Sequence, residues 1–171
     1  MSHVLGIDLG TSNLKVALVD RSGQTTALIR TPISYTTGFT SEGEITSVVD
    51  VAFLSGILKA AIKDAIAQTG NPLIEAVSYS SQANTFLLVD PEGTPLTPFV
   101  SWQDQRAEGL QDLVESICKR PEFTATTGLG VFSTGMAAAK LSWIQRHEPF
   151  LWRRVGKVLS ISDFLCHALT D

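Results

Sequence analysis

The stretch from Gly6 to Asp20 reads GIDLGTSNLKVALVD and places two apolar runs on either side of a short polar turn. Aliphatic and β-branched residues dominate both runs, which is typical of paired strands that face a hydrophobic core. Gly10 alone would be enough for a tight turn between two strands. The acid before the turn and the hydroxyl and amide side chains within it therefore indicate a second purpose.

The turn has the composition of a phosphate-binding surface, with four residues that supply close backbone approach or polar donors: Gly10, Thr11, Ser12 and Asn13. Successive N–H groups beside such side chains form a concave donor surface for an anion. Asp8 would repel a bare phosphate, but Mg²⁺ between the two groups, held through water, removes the conflict. Lys15 either adds positive charge there or points to solvent. Alone, Asp-x-Gly-Thr is more often an ordinary hairpin turn, and its place between the first two strands, ahead of a third strand and a helix, favours a phosphate site.

The pattern on both sides of this turn predicts a meander followed by a crossover helix. HVLGIDL, LKVALVD and QTTALIRTPI are three strand-like runs with short connections, so we expect them to pair antiparallel. Apolar residues then recur at helical spacing between Thr46 and Gly70, with Ser47 as the expected N-cap and Asp50 in the first turn. The next strand, EAVSYSS, should run parallel to its neighbour, since a helix connects them.

The second half of the chain mixes a hairpin with helices. TFLLVD and LTPFVSW flank the turn PEGTP and predict a hairpin. Helical spacing is present over 104–118 and 137–146, GKVLSI predicts a strand, and 163–169 predicts a last helix. This order of elements, an antiparallel meander of three strands followed by α/β crossovers, is that of the ribonuclease H-like mixed sheet of the actin-like ATPase superfamily.

Composition excludes several classes of protein. The 171 residues are 44% hydrophobic and 18% charged with a net charge of −4, which suits one globular domain, or one with an incomplete neighbour, and argues against nucleic-acid binding. No basic run, signal peptide or long apolar segment indicates a membrane partner. Cys118 and Cys166 have no metal-ligand or redox spacing, which predicts reduced, mostly buried thiols in a cytoplasmic protein.

The chain resembles the FGGY carbohydrate kinases, the family of glycerol kinase, xylulokinase, gluconokinase and ribulokinase. The resemblance runs in order through GIDLGTSNLKVALVD, SEGEITS, VSYSSQANTFLLVDPEGTPLTPFVSWQDQRA, TGLGVFSTGMAAAKLSWIQRHEP and KVLSISDFLCHALTD. It implies phosphorylation of a sugar, polyol or sugar acid by ATP, with the γ-phosphate and Mg²⁺ facing Asp8 and the turn that follows it. It also implies a homo-oligomer as one option for the complete enzyme.

The same resemblance implies where the sugar binds. Gln82 is itself a candidate sugar ligand. It precedes the two positions that contact substrate in similar kinases, which are Arg-Glu in glycerol kinases and Met-His in xylulokinases; here they are Ala83 and Asn84. Neither pair is present, so this loop supports neither glycerol nor xylulose. Asn84 either hydrogen-bonds hydroxyl groups or forms an Asx turn. Near Lys140, Gly135 occupies the position of an aromatic substrate contact of glycerol kinases.

Two further candidates each have a structural alternative. Trp102 either forms an apolar wall for a sugar or lies in the core. Asp104 either accepts hydrogen bonds from sugar hydroxyls or caps a helix. Arg106 is expected to brace Asp104, and Lys140 and Trp143 to be structural.

The family's catalytic base lies in a later Asp-x-x-Thr-Gly-like segment, and no acid of this chain matches it. Residues 1–171 are therefore expected to be an incomplete N-terminal, sugar-binding lobe, inactive alone, without the nucleotide-binding lobe. The alternative is a non-catalytic actin-like binding or scaffold module.

Overall fold

The computed structural model of the protein describes residues 2–170, which form two compact units. Unit 1 comprises residues 2–35, 49–82 and 161–170, and unit 2 comprises residues 36–48 and 83–160. The strands are β1 Ser2–Leu9, β2 Asn13–Asp20, β3 Thr25–Pro32, β4 Thr36–Phe39, β5 Ile45–Val49, β6 Leu73–Ser81, β7 Phe86–Val89, β8 Phe99–Val100 and β9 Lys157–Ser160. The helices are α1 Val51–Gln68, α2 Gln111–Cys118, α3 Glu122–Thr127, α4 Ala137–His147, α5 Pro149–Trp152 and α6 Ile161–Thr170.

Unit 1 is built on a sheet of order β3-β2-β1-β6. β1, β2 and β3 pair antiparallel and β6 pairs parallel to β1, so the predicted meander and crossover are confirmed. Side chains alternate along β1: Leu5, Ile7 and Leu9 are buried, while Gly6 and Asp8 alternate with them and face the other side. This alternation puts the Asp8 carboxylate on the opposite face from the apolar core.

The first helix starts later than the sequence predicts. Asp50 is the N-cap of α1, because its side chain accepts a hydrogen bond from the Phe53 N–H at 2.7 Å. Ser47, the expected N-cap, lies in β5, which pairs antiparallel with β4. The prediction for Ser47 is therefore wrong, because pairing with residues distant in the chain holds this segment extended.

Unit 2 contains a second sheet of order β4-β5-β8-β7-β9. The predicted hairpin is confirmed, with Phe86 opposite Val100, and β9 pairs antiparallel with β7. All four residues of β7 are buried, and the helices α2 and α4 contribute Val114 and Ile144 to the same core. The short helices α3 and α5 and the strand pair β4–β5 were not predicted, because each is too short to show a period.

The cysteine prediction is only partly correct. Cys118 and Cys166 are both free, as expected, but Cys166 is exposed. It lies on α6, near the end of the part of the chain that the structure describes.

Candidate functional site

The turn between β1 and β2 is closed by its own backbone. The Gly10 N–H donates to the Asn13 carbonyl at 3.1 Å. A β-carbon on Gly10 would lie 3.3 Å from that same oxygen, so a side chain here would force the turn to shift. Gly10 therefore suits this turn better than a residue with a side chain would.

Two carbonyl groups of the turn face inward, and this orients the following amides. The Tyr35 hydroxyl donates to the Thr11 carbonyl at 2.8 Å, and the Ile33 N–H donates to the Ser12 carbonyl at 3.0 Å. In a trans peptide the carbonyl and the next N–H point in opposite directions. The N–H groups of Ser12 and Asn13 consequently point away from Tyr35 and Ile33, as a donor surface for an anion requires.

Gln82 belongs to the same unit as this turn. The Thr11 hydroxyl donates to Gln82 Oε1 at 3.5 Å, and Gln82 Nε2 donates to the Tyr35 hydroxyl at 3.3 Å. These contacts connect the end of β6 to the turn. Sequence reasoning had assigned Gln82 to the sugar, and that assignment stays a prediction.

Asp8 is the acidic side chain beside this turn. Its Oδ2 accepts from Lys15 Nζ at 2.7 Å and its Oδ1 accepts from the Ser80 hydroxyl at 3.1 Å. The hydrogen bond from Lys15 lowers the pKa of Asp8, so the carboxylate stays ionised. Lys15 therefore places its positive charge directly beside Asp8, and its role toward a phosphate stays a prediction.

The Asp8 side chain remains 45% exposed, so other ligands can reach it. It borders a shallow cavity of about 360 Å³ on the open face of the unit 1 sheet. Within residues 2–170 no group of three His, Cys, Asp or Glu side chains is placed to hold a metal ion. One accessible carboxylate fits Mg²⁺ better than a preformed cage would, since Mg²⁺ takes one or two carboxylates and completes its shell with water and phosphate oxygens.

Unit 2 contains a separate pocket of about 600 Å³, lined by Asn84, by 102–105, by Glu108 and by 133–136. Trp102 is 45% exposed in its wall, so the prediction of a core tryptophan is wrong. An exposed indole can pack against the C–H face of a sugar. The sequence did not identify Gln103, Gln105, Glu108 and most of 133–136 as site residues, although the two glutamines lie within the segment 102–106 that it had identified.

The Asp104 side chain, in contrast, is 0% exposed. Its two oxygens accept four hydrogen bonds: from Arg106 Nε at 2.7 Å, Arg106 Nη2 at 3.0 Å, the Arg106 N–H at 3.1 Å and the Ser47 N–H at 2.8 Å. The predicted bracing by Arg106 is confirmed. The helix-cap alternative is wrong, because helical structure begins only at Glu108, without a side-chain cap. Protein groups thus occupy the acceptor sites that had been assigned to a sugar.

Asn84 lies at the rim of the pocket in a left-handed conformation, with φ 57°. Its Oδ1 accepts from the Ala137 N–H at 3.3 Å, at the start of α4. Ala83, the other predicted contact, is exposed. The amide of Asn84 therefore orients the segment that contains Gly135 while its –NH₂ group can serve as a donor to a hydroxyl.

Lys140 lies beneath the Trp102 segment and is 0% exposed. Its Nζ donates to the carbonyls of Ser101 and Trp102, both at 2.8 Å. Burial lowers the pKa of Lys140 to about 8, with the nearby Asp104 opposing the shift and Arg106 adding to it. The predicted structural role of Lys140 is confirmed, and its contacts hold the backbone on which Trp102 is presented.

Of the helices within residues 2–170, none combines the length and apolar character that a bilayer span requires. Residues 3–171 match the model of the FGGY family of carbohydrate kinases, N-terminal domain. A xylulose kinase from Staphylococcus epidermidis is 30% identical over 170 residues, which are 98% of this chain and 32% of the relative. An L-fuculokinase from Escherichia coli is 28% identical, over 98% of this chain and 35% of the relative.

A solved structure shows the same fold. The crystal structure of a xyloylose kinase from Brucella ovis superimposes with a TM-score of 0.81 and 29% identity, over 95% of this chain and 32% of that one. The predicted actin-like, ribonuclease H-like fold is thereby confirmed. The chain spans about a third of the length of the curated relatives it matches. It belongs to the FGGY family of carbohydrate kinases and corresponds to the family's N-terminal domain.

Proposed function

We propose that this chain is the N-terminal, sugar-binding part of an ATP-dependent carbohydrate kinase, which transfers the γ-phosphoryl group of ATP to a hydroxyl of a sugar, polyol or sugar acid. The observation that carries the proposal is the match of residues 3–171 to the family's N-terminal domain. The relatives named xylulose kinase and L-fuculokinase support the alcohol acceptor. Because ATP is the phosphoryl donor, we propose that the enzyme is cytoplasmic. Size-exclusion chromatography can measure whether it self-associates.

The pocket of unit 2 is the proposed sugar site. Trp102 offers an apolar surface at its wall, and Asn84 offers an amide at its rim. Asp104 acts from below, because its four hydrogen bonds fix Arg106 and the backbone of Ser47. A sugar that binds here would meet a rigid wall, and rigid positioning of reactants lowers the barrier to their reaction.

The turn of unit 1 is the proposed phosphate site. The N–H groups of Ser12 and Asn13 and the hydroxyl groups beside them would bind the terminal phosphate of ATP, with Gly10 allowing close approach. Asp8 would hold Mg²⁺ through water, while Lys15 limits the negative charge that the phosphate meets. Mg²⁺, when bound, would supply charge neutralisation for the transferred phosphoryl group.

The base that takes the proton of the sugar hydroxyl is proposed to lie outside this chain. No acid within it matches the family's later aspartate, and Asp104 is saturated by protein hydrogen bonds. The chain alone should therefore not catalyse phosphoryl transfer. It would lack the base, and it would lack the second lobe that closes the ATP cleft and excludes water.

The test is ADP release from ATP and Mg²⁺ across a panel of sugars, polyols and aldonates. The complete kinase should turn over with one of them at roughly 1 to 100 per second, and the 171-residue chain should not. Asp8→Ala in the complete kinase is the matched variant, with turnover expected to fall. A folded complete protein that releases no ADP with any sugar would support the scaffold alternative. Turnover by the chain alone would assign the base to one of its own acids.

A further inference from the structure

The ionisable side chains that line the unit 2 pocket are all acidic. Among its lining residues only Asp104 and Glu108 are ionisable acids, and no lysine or arginine lines it. Arg106 neutralises the buried carboxylate of Asp104. Glu108 is exposed, and within residues 2–170 no lysine, arginine or histidine forms an ion pair with it.

The two cationic side chains behind this wall, Arg106 and Lys140, already bind other groups of the protein. Arg106 is 8% exposed, binds Asp104 and lies 5.5 Å from the ring centre of Trp143. Lys140 is fully buried and donates to two backbone carbonyls. Neither side chain lines the pocket, so an anion that enters would meet the carboxylate of Glu108 without a compensating cation from these walls.

The remaining lining groups suit neutral hydroxyls. Asn84, Gln103 and Gln105 carry amides that both donate and accept, and Glu108 accepts only. Hydroxyl groups can satisfy both kinds of partner, whereas a second carboxylate can only accept. Trp102 offers its ring to C–H groups in either case, so it does not discriminate between the two classes of ligand.

We propose that this pocket takes a neutral ketose or polyol, and that Glu108 disfavours sugar acids by charge repulsion. The inference rests on the proposed function and narrows its substrate class. Two like charges about 4 Å apart lower affinity by about fivefold in a water-like setting and by more at lower effective dielectric. We therefore expect a neutral ligand to bind at least about fivefold more tightly than its acid analogue.

The first test measures binding of xylitol and D-xylonate, which share a five-carbon chain and differ by a carboxylate. The probe is the 171-residue chain, followed by tryptophan fluorescence, because Trp102, Trp143 and Trp152 all lie in unit 2. Glu108→Gln should improve xylonate binding about fivefold, and Glu108→Lys should improve it further. Glu92→Lys is the matched control, because Glu92 is exposed in a hairpin turn and does not line the pocket.

Several results would overturn the inference. These are equal binding of both probes, binding of neither probe to the folded wild-type chain, and an unchanged preference in Glu108→Lys. An equal gain in Glu92→Lys would show that net charge, and not the pocket, sets the preference. The preference should also weaken as salt rises, because exposed charges are screened.

The second test uses ADP release by the complete kinase and separates this inference from the proposed function. Faster turnover with aldonates than with polyols would reject the inference while the kinase function stands. No turnover with either class would reject the proposed function, and the binding ratio measured on the chain would still decide the role of Glu108.

Discussion

Replacing Lys140 by Met should change how the stability of the chain depends on pH. The substitution keeps most of the side-chain volume but removes an ammonium group that is 0% exposed. It also removes the donors to the carbonyls of Ser101 and Trp102. Ser101 keeps one partner, because its carbonyl also accepts from the Asp104 N–H at 3.1 Å.

The magnitude follows from the pKa of Lys140. Burial lowers this pKa from 10.5 to about 8 in the folded protein, so between these values the unfolded chain binds more protons than the folded one. Stability contributed by this group therefore rises with pH across that window and is constant above it. At about 1.4 kcal/mol for each pKa unit, the wild type should gain roughly 3 kcal/mol over Lys140→Met between pH 7 and pH 10.5.

The assay is urea unfolding followed by tryptophan fluorescence at several pH values across this window. Fluorescence reports on unit 2, where all three tryptophans lie. The difference between wild type and Lys140→Met cancels groups common to both proteins, and Lys157→Met removes a charge from an exposed site as a control. A difference that stays flat within about 0.5 kcal/mol would refute the reasoning, since it would mean that hydrogen bonds to the two carbonyls fully offset the cost of burial.

Three further outcomes are expected. Asp8→Ala in the complete kinase should lower kcat and kcat/KM together by at least about tenfold, with little change in the KM for sugar, and near-normal kcat would contradict its role at the phosphate. Asn84→Leu should change the order in which the kinase accepts ketoses and polyols, and an unchanged order and rate would leave Asn84 a structural residue only. Gly156→Ala should destabilise the chain by about 3 kcal/mol, because its β-carbon would lie 2.4 Å from the Pro91 nitrogen. The control is Gly56→Ala on α1, where a β-carbon meets open space, and it should be neutral or slightly stabilising. Urea unfolding midpoints of both variants measure the two effects.

The sequence by itself determined the elements whose cause is local. The meander was predictable because each strand carries its own period and the connections between strands are short. α1 was predictable because its apolar stripe extends over eighteen residues. Asp8 and the turn after it were identifiable because that chemistry lies within a few consecutive residues, and the ordered set of motifs was sufficient to identify the family.

The tertiary structure decided what depends on partners far apart in the chain. Ser47 is extended because its N–H donates to Asp104, 57 residues away. The Ser47 N–H and Arg106 bind the buried carboxylate of Asp104, which the sequence had suggested as a sugar ligand. Trp102 is exposed on a backbone whose carbonyl binds Lys140, a contact between residues 38 positions apart that no local pattern reports. Glu108 lines a pocket only because segments that are distant in sequence converge there. Local periodicity determines secondary structure, but the free energy of burying a charge depends on which distant groups are folded against it.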